Sequence, residues 1–437
     1  MAPARFFESL RKVSEDFVEN LQNYCKGGHH PILIGDFFDD GRYEIVHKLG
    51  YGGYSIVWLA YDHRKSRYAA LKFLSALFSV RQTHILKPDG STSPKSNCNE
   101  LNMTRYVADN VDKIGARRFA VEVETFCAAS VNGQHLVFVS PVHGPCLQEY
   151  MQLLPYTSAV AQEIALDAAK ALRDLHKAGV VHGDFTTRNI LLKLRNLDNL
   201  CPLKIEDCFG KLEEEEMIPI DGRIPKGSYP KVVYKEAEMC GIPKTYMTRE
   251  VVIIDFGLSF QASSPPAING AGSPYSYRAP EQMTILEARL YLRKANEKIG
   301  RLDGKIDIWA LACDIFEIRT RKPLFPSFAD DDTNEQTVLA VRDVMAEIWL
   351  EDEDDEWRYM GDAAGAYDKR RSLRSRMDNE ASLSLMERSV LYDLLKKMLK
   401  RKPSHRIGIE EVIQHPWFTT YFSPSEVPLL RHEAIAE

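Results

Sequence analysis

The chain predicts an α+β fold of two lobes, a small β-rich one followed by a larger, mainly helical one. Three observations carry this. From Tyr43 to Phe73 apolar and aromatic residues are dense, and Gly50, Gly52 and Gly53 interrupt them, which is strand and turn chemistry. Gly144-Pro145 is a natural place for the chain to leave one lobe and enter another. Beyond it the pattern turns helical: Val160 to Lys177 reads as a long helix, and Asp307 to Ile318 as a buried apolar one. At 437 residues, 44% hydrophobic and 27% charged, the composition is that of a globular protein. A net charge of −6 argues against a general nucleic-acid binder. The eight cysteines form no C-x-x-C and no zinc spacing with histidine, so free thiols are expected. No apolar run approaches the roughly 18 residues needed to span a bilayer. Glu8, Glu15, Asp16 and Glu19 argue against a mitochondrial presequence, so the expected location is the cytoplasm, with the nucleus as the other compartment.

The elements follow in order. Phe6, Leu10, Val13, Phe17 and Leu21 recur at spacings of three and four, which predicts a short amphipathic helix in an N-terminal extension, residues 1–41. Its polar face is not basic, so it is expected to dock on the protein and not on a membrane. Residues 76–98 hold Pro88-Asp89-Gly90 and Ser91-Thr92-Ser93-Pro94 and read as a loop. Asn97 then offers an N-cap with Glu100 three residues on, predicting a helix to about Asp109. Gln134 to Val142 reads as a strand, which ends the first lobe (42–142). The second lobe (143–422) contains a stretch, 194–248, that looks inserted: it holds Glu213 to Glu216, several Pro and Gly, and little periodicity. Acidic runs stand at Asp330 to Asp332 and Glu351 to Glu356, a basic run at Lys369 to Arg376, and a tail at 423–437.

Three strings, in one order, carry chemistry. His182-Gly183-Asp184-Phe185-Thr186-Thr187-Arg188-Asn189 puts a carboxylate five residues before an amide. Asp255-Phe256-Gly257 adds a carboxylate that can hold a metal, and Ala279-Pro280-Glu281 closes the loop that follows. Their order, spacing and flanking apolar strands resemble the working part of a protein kinase active site, where catalysis is positioning plus charge neutralisation. The chain resembles the eukaryotic protein kinase family.

That resemblance implies ATP and Mg²⁺, with the nucleotide between the lobes. Leu49-Gly50-Tyr51-Gly52-Gly53-Tyr54-Ser55-Ile56-Val57 is similar to the phosphate-covering G-x-G-x-x-G-x-V loop, with Ser55 in place of the third glycine. Lys72 in Ala69-Ala70-Leu71-Lys72 matches the lysine over the α- and β-phosphates, and Val57 and Ala70 would cover the adenine. Its carboxylate partner is assigned to Glu100, with Glu122 and Glu124 as alternatives on a segment that reads as strand. Ser140 matches a small gatekeeper. Pro141 and His143 match the hinge, where Pro141 keeps its carbonyl and His143 its N–H. Leu191 would form the adenine floor. Asp184 would accept the substrate hydroxyl's proton, and Asn189 and Asp255 would coordinate Mg²⁺.

Two departures carry physics. Gly183 replaces the arginine of H-R-D, whose charge commonly waits for a phosphorylated activation loop, so activity independent of that phosphorylation is expected. Thr186 stands where a lysine usually contacts the γ-phosphate. Arg188, placed as in the tyrosine-kinase arrangement, is assigned the charge-stabilising role. Glu281 is expected to pair with Arg406, and Asp307 to organise the catalytic loop from its buried helix. Small-molecule phosphotransferases share His-Gly-Asp but lack these positions, so a protein substrate is favoured. The rival reading is a pseudokinase scaffold: Ser55, Gly183 and Thr186 favour it, while Lys72, Asp184, Asn189 and Asp255 oppose it.

Within protein kinases the chain resembles the SR-protein kinase family, particularly its fungal branch. The stretches that carry this are Asn23-Tyr24-Cys25-Lys26-Gly27-Gly28-His29-His30-Pro31, Val57-Trp58-Leu59, Asp307-Ile308-Trp309-Ala310-Leu311-Ala312-Cys313 and the 194–248 spacer. The resemblance implies a serine/threonine kinase acting on Arg/Ser-rich or basic protein segments, a monomer with neither nucleic acid nor membrane as partner. Asp330, Asp331, Asp332 and Glu335 would dock the arginines, with Glu351 to Glu356 adding charge. Arg371-Ser372-Leu373-Arg374-Ser375-Arg376 reads as an exposed basic loop, with an autophosphorylation site or a nuclear address as the other readings.

Overall fold

The computed structural model describes residues 19–82, 99–112, 115–121, 124–153, 156–195, 197, 205–216, 227–237, 239, 242–243, 245–266, 273–282, 302–326, 335–351 and 369–422. They fall into two compact units. The first comprises 1–110, 116–145 and 191–248; the second comprises 111–115, 146–190 and 249–437. The predicted N-terminal helix, Glu122, the 330–332 acids, the acidic residues from Asp352 to Glu356 and the tail lie outside the described residues.

The first unit is built on a six-stranded antiparallel sheet in the order β1-β2-β3-β4-β6-β5. Its strands are β1 (Phe37–Phe38), β2 (Tyr43–Gly52), β3 (Ser55–Asp62), β4 (Arg67–Leu74), β5 (Glu124–Ser130) and β6 (Gly133–Ser140). Alternation sorts their side chains into two faces. Tyr43, Ile45, Ile56, Trp58, Leu71, Phe73 and Val137 fill one interior, each at most 2% exposed. Tyr24 and Ile32 of the leader and Tyr234 of the 194–248 segment join that cluster. Two helices accompany the sheet, α1 (Ala76–Gln82) and α2 (Asn99–Asn110).

The 194–248 segment carries order of its own. Strands Glu214–Glu216 and Val232–Tyr234 form an antiparallel ribbon. Ile205, Phe209, Met239 and Ile242 pack with Leu59 and Tyr68 of the sheet in a second cluster. A buried ion pair ties leader to sheet: Lys48 Nζ donates to Glu19, which also accepts from the Tyr24 hydroxyl. Lys48 Nζ donates further to the Tyr234 carbonyl at 2.9 Å. Burial pushes the Lys48 ammonium below its ordinary pKa, and Glu19 works against that shift.

The second unit is mainly helical. Ser158–Lys177 is capped by Thr157, whose hydroxyl accepts from the Val160 amide at 3.3 Å. Lys305–Thr320 buries nearly every side chain, charged ones included. Arg319 on it forms a buried bidentate pair with Glu387 of Leu385–Met398, at 2.6 and 2.7 Å. Short strands Val180–Val181 and Phe260–Gln261 pair antiparallel beside the catalytic loop. The basic run differs from the expected exposed loop. Ser372, 1% exposed, caps a short helix, Leu373–Asp378, by accepting from the Ser375 amide at 3.2 Å. Arg376 donates to the Leu324 carbonyl at 2.6 Å. A capping hydroxyl outweighs the charge run here, and Ser372 is covered. Among the described residues no helix is long and apolar enough to cross a membrane, and the five described cysteines form no disulfide.

Lys48→Ala removes the cation that pairs with buried Glu19, and removal of one partner of a buried pair costs about 3–5 kcal/mol. Urea unfolding of the whole protein is expected to show that loss; a shift below about 1 kcal/mol, the scale of a surface pair, would contradict it.

Candidate active site

In the first unit the cross-strand register gathers the predicted nucleotide residues onto one sheet face. Val57 lies opposite both Gly50 and Lys72, and Ala70 lies opposite Ser140. Residues two apart share a face, so Gly50, Val57, Ala70, Lys72 and Ser140 stand together, half-buried, away from the Ile56–Leu71–Phe73 interior. Lys72 Nζ donates to Glu100 Oε1 at 2.8 Å, from the first turn of α2. Glu124 instead serves Arg42 and Lys65. The glycine-rich hairpin turns at Gly53-Tyr54, with Gly52 opposite Ser55. A Cβ added at Gly53 would meet nothing within 4 Å, and none of Gly50, Gly52 and Gly53 has positive φ. Nothing in the fold itself therefore demands glycine at Gly53. Tyr51 and Tyr54 are exposed, and Tyr54 stacks on Phe78 with ring centroids 5.0 Å apart. Leu49 and Leu191 are half-buried, as are Pro141 and His143. Burial pushes the His143 imidazole down to about 4, so it is neutral at physiological pH.

In the second unit the catalytic loop hangs on one carboxylate. Asp307, 1% exposed in the first turn of Lys305–Thr320, accepts from the His182 amide at 2.8 Å and the Gly183 amide at 2.9 Å. His176 Nε2 lies 2.9 Å from the same carboxylate. Asn189 Nδ2 donates to both the Asp184 carbonyl, 2.9 Å, and Asp184 Oδ2, 2.8 Å, which locks the five-residue loop shut. The Ile254 amide donates to the Asn189 carbonyl at 3.0 Å, so Asp255 follows directly beside Asn189. His182 ties the two loops from below, with Nε2 3.2 Å from the Ile254 carbonyl and its own carbonyl accepting from Ser259 Oγ at 2.9 Å.

Asp255 sits at φ 62°, a left-handed conformation that aspartate tolerates better than most residues and that clusters at functional sites. Burial and the neighbouring Asp255 charge push the Asp184 carboxyl above its ordinary range, while His182 and Asn189 oppose the shift. Asp184 Oδ1 is buried without a hydrogen-bond partner among the described residues. Two mutually repelling carboxylates and an amide oxygen are hard donors, the set that suits Mg²⁺.

Gly183 is required by the backbone. Its φ is 79°, and a Cβ there would lie 2.6 Å from the Leu258 carbonyl oxygen. Any L-side chain, arginine included, collides. Thr186 is 2% exposed. Arg188 is exposed, and its Nε donates to Gln148 Oε1 at 2.5 Å. Arg406 forms a bidentate pair with Glu281, at 2.5 and 2.7 Å.

One group went unread in the sequence. Thr187 Oγ1 lies 3.0 Å from the Tyr277 hydroxyl and donates to Glu317 Oε2 at 3.1 Å, and Tyr277 also donates to Glu317. Asp314, one helical turn from Glu317, is fully buried. Burial, Glu317 and Asp184 all push its carboxyl well above the usual range, and the Thr187 amide offsets only part. The available signal was two acids, Asp314 and Glu317, spaced i, i+3 among the apolar residues of Lys305–Thr320. Of the expected docking acids, Asp330, Asp331 and Asp332 lie outside the described residues, and Glu335 opens helix Glu335–Glu351.

A protein kinase domain model matches residues 43–214 and 244–418, and the chain belongs to that family. Among curated proteins it is similar to human SRSF protein kinase 3, 31% identical over 193 residues, 43% of this chain and 32% of that one. It is likewise similar to protein kinase dsk1 of Schizosaccharomyces pombe, 30% identical over 40% of this chain and 30% of that one. Serine/threonine-protein kinase SKY1 of Saccharomyces cerevisiae is 27% identical over 44% of this chain and 25% of that one. The match thus spans about a third or less of these relatives. A crystal structure of a kinase domain superposes with a TM-score of 0.54 at 17% identity, covering 89% of this chain and 98% of that one, which shows the fold.

Two substitutions test this geometry. Gly183→Ala is expected to cost at least about 1–2 kcal/mol, the penalty of left-handed backbone, before the collision is counted; unchanged thermal unfolding would contradict it. Asp314→Asn should stabilise. A carboxyl whose folded pKa is raised weakens the fold as pH climbs from the ordinary carboxylate range, about 4, towards the folded value. The amide variant should flatten that pH dependence and raise Tm at pH 8 relative to wild type.

Proposed function

We propose that the chain is an Mg-ATP-dependent protein serine/threonine kinase. The observation that carries this is the Asp184–Asn189–Asp255 constellation, held by Asp307 and by the Ile254–Asn189 bond. When bound, Mg²⁺ neutralises charge on the nucleotide phosphates, and Asn189 and Asp255 would hold it. Lys72, fixed by Glu100, would present its ammonium to the α- and β-phosphates. The glycine-rich hairpin, Leu49 to Val57, would cover the phosphates. Val57, Ala70 and Leu191 would enclose the adenine, with Ser140 as gatekeeper and the Pro141 carbonyl and His143 amide as its hydrogen-bonding edge.

In the reaction, the substrate hydroxyl oxygen attacks the γ-phosphorus. The bond from that phosphorus to the bridging oxygen breaks, and ADP leaves with the electron pair. The hydroxyl proton passes to Asp184, whose raised carboxyl pKa makes it a better acceptor than a solvated aspartate. Arg188 would supply positive charge in the transition state on release from Gln148. The left-handed Gly183 leaves no place for the arginine that reads a phosphorylated loop, which supports activity independent of such phosphorylation.

The substrate is proposed to be a Ser/Thr hydroxyl in an Arg/Ser-rich or basic protein segment. The similarity to SRSF protein kinase 3 and the acidic runs at Asp330 to Asp332 and Glu351 to Glu356 support this.

Radiolabelled phosphate transfer from Mg-ATP to an Arg/Ser-repeat peptide is the test. Asp184→Asn is expected to lower turnover by about 10²–10⁴-fold, the usual value of a positioned general base. Arg188→Ala should lower it far more than Thr186→Ser, and prior phosphatase treatment should leave it unchanged. Absence of transfer by a chain that still shows an Mg-ATP thermal shift would establish the scaffold reading instead.

A further inference from the structure

The sheet of the first unit curls until its two end strands face one opening. β1 and β5 stand at opposite ends of the hydrogen-bonding order. Yet Phe37 and Phe38 of the one and Phe126 to Ala129 of the other line a single cleft of about 410 Å³. Phe37, Phe38 and Phe126 line it, and Phe38 and Phe126 pack beneath it on the buried Phe73, with ring centroids at 4.9 and 6.4 Å. Phe37 is 56% exposed at its edge.

The cleft has two further properties. Among the described residues its lining includes Asp36, Asp39 and Asp40 but no lysine or arginine. Arg42, which follows the lining Gly41, stands 3.7 Å from Asp39 and is already held by Asp62, at 2.8 and 3.1 Å, and by Glu124 at 2.9 Å. His30 adds no charge at neutral pH, because burial lowers its pKa. The field in the cleft is therefore negative.

The second property is an open strand edge. Among the described residues β5 pairs with β6 alone. The two strands join through a two-residue turn, Val131-Asn132, so Ser130 and Gly133 face each other and hydrogen-bonded pairs recur at every second residue. The peptide groups of Cys127 and Ala129 then point away from β6, and both residues are exposed. An extended chain laid along β5 can pair with such an edge, and its alternate side chains fall into the cleft. Arginine or lysine suits what those side chains would find there, carboxylates for the charge and ring faces for the cation.

We propose that this cleft docks an extended, basic segment of a partner protein, added to the sheet as a further strand against β5. On alternate positions the segment's cations project into the cleft and pair with Asp36, Asp39 and Asp40 beside the Phe37 and Phe38 rings, while the intervening residues face the opposite side of the added strand. The proposal does not depend on phosphoryl transfer and is tested without nucleotide.

The probe is a fluorescein-labelled peptide of four Arg-Leu repeats, titrated into the full chain at 50 mM salt and read by fluorescence anisotropy. Saturable binding is expected, weakened at least tenfold for the Asp39→Asn/Asp40→Asn double variant and at 300 mM salt. A peptide N-methylated at alternate amides should lose at least tenfold on one register, because the strand hydrogen bonds vanish while charge stays. Cys127, an exposed free thiol in the cleft, gives a readout that needs no variant. Bound peptide should slow its alkylation by iodoacetamide severalfold while exposed Cys25 reacts as before, read by peptide mass mapping. The proposal is overturned by absent binding, by equal binding of a Glu-Leu repeat, by indifference to N-methylation in both registers, or by unprotected Cys127 at saturating peptide.

Discussion

The Asp307 carboxylate is the constraint on which the second unit depends. It lies inside an apolar helix, where an unpartnered charge would be costly, and the catalytic loop supplies what it lacks. Two successive amides, His182 and Gly183, donate to it and His176 flanks it. The dependence is mutual: the loop satisfies the acid, and the acid fixes the backbone from which Asp184 projects. Its place in the first helical turn adds the favourable end of the helix dipole. Gly183 follows from the same constraint. To turn its amide onto Asp307 the backbone adopts positive φ against the Leu258 carbonyl, and only glycine fits there.

Around that anchor the unit gathers negative charge. The Asp255 charge raises the cost of ionising Asp184, and Asp314 and Glu317 stand buried close behind. A fold optimised for stability alone would neutralise such a cluster. Tyr277 and Thr187 satisfy Glu317 by hydrogen bonding, and Arg188 contributes opposing charge from its exposed position. This arrangement suits a site that accepts cations, because a bound divalent ion relieves the repulsion between the carboxylates.

The first unit solves a different problem, how to cover a strongly curled sheet. The leader and the 194–248 segment both serve as cover. Tyr24, Ile32 and Tyr234 enter the sheet's own core, and Asn132 Nδ2 donates to the His29 and Ser228 carbonyls at 2.7 and 2.6 Å, joining leader, hairpin tip and segment. Lys48 completes the closure: its ammonium can be buried because Glu19 and the Tyr234 carbonyl come to it from both sides. The stretch that looks inserted is thus part of the small unit's packing.

Much of this was legible in the residue order. Strands Tyr43 to Phe73, helices over 160–177 and 307–318, the five-residue Asp184–Asn189 spacing and the Glu281–Arg406 pair are local patterns or fixed matches, and a local pattern is written in consecutive residues. The predicted helix selects Glu100 as the partner of Lys72 with Glu124 left as an alternative, and register places Glu124 beside Arg42 and Lys65. The basic run at Lys369 to Arg376 is exposed at Lys369, Arg370, Arg371 and Arg374 as its charge suggests, but it is helical and not a loop, and the charge pattern says nothing of the capping bond that covers Ser372. The role of the 194–248 segment and the Asp314–Glu317–Tyr277–Thr187 group were invisible for one reason. Each depends on residues far apart in sequence meeting in the core, and burial, which sets their energies, is a property of the folded chain alone. The sequence by itself determined which chemistry the chain carries and the two-lobed class that carries it; the tertiary structure alone decided why position 183 must be glycine and which acids are buried together.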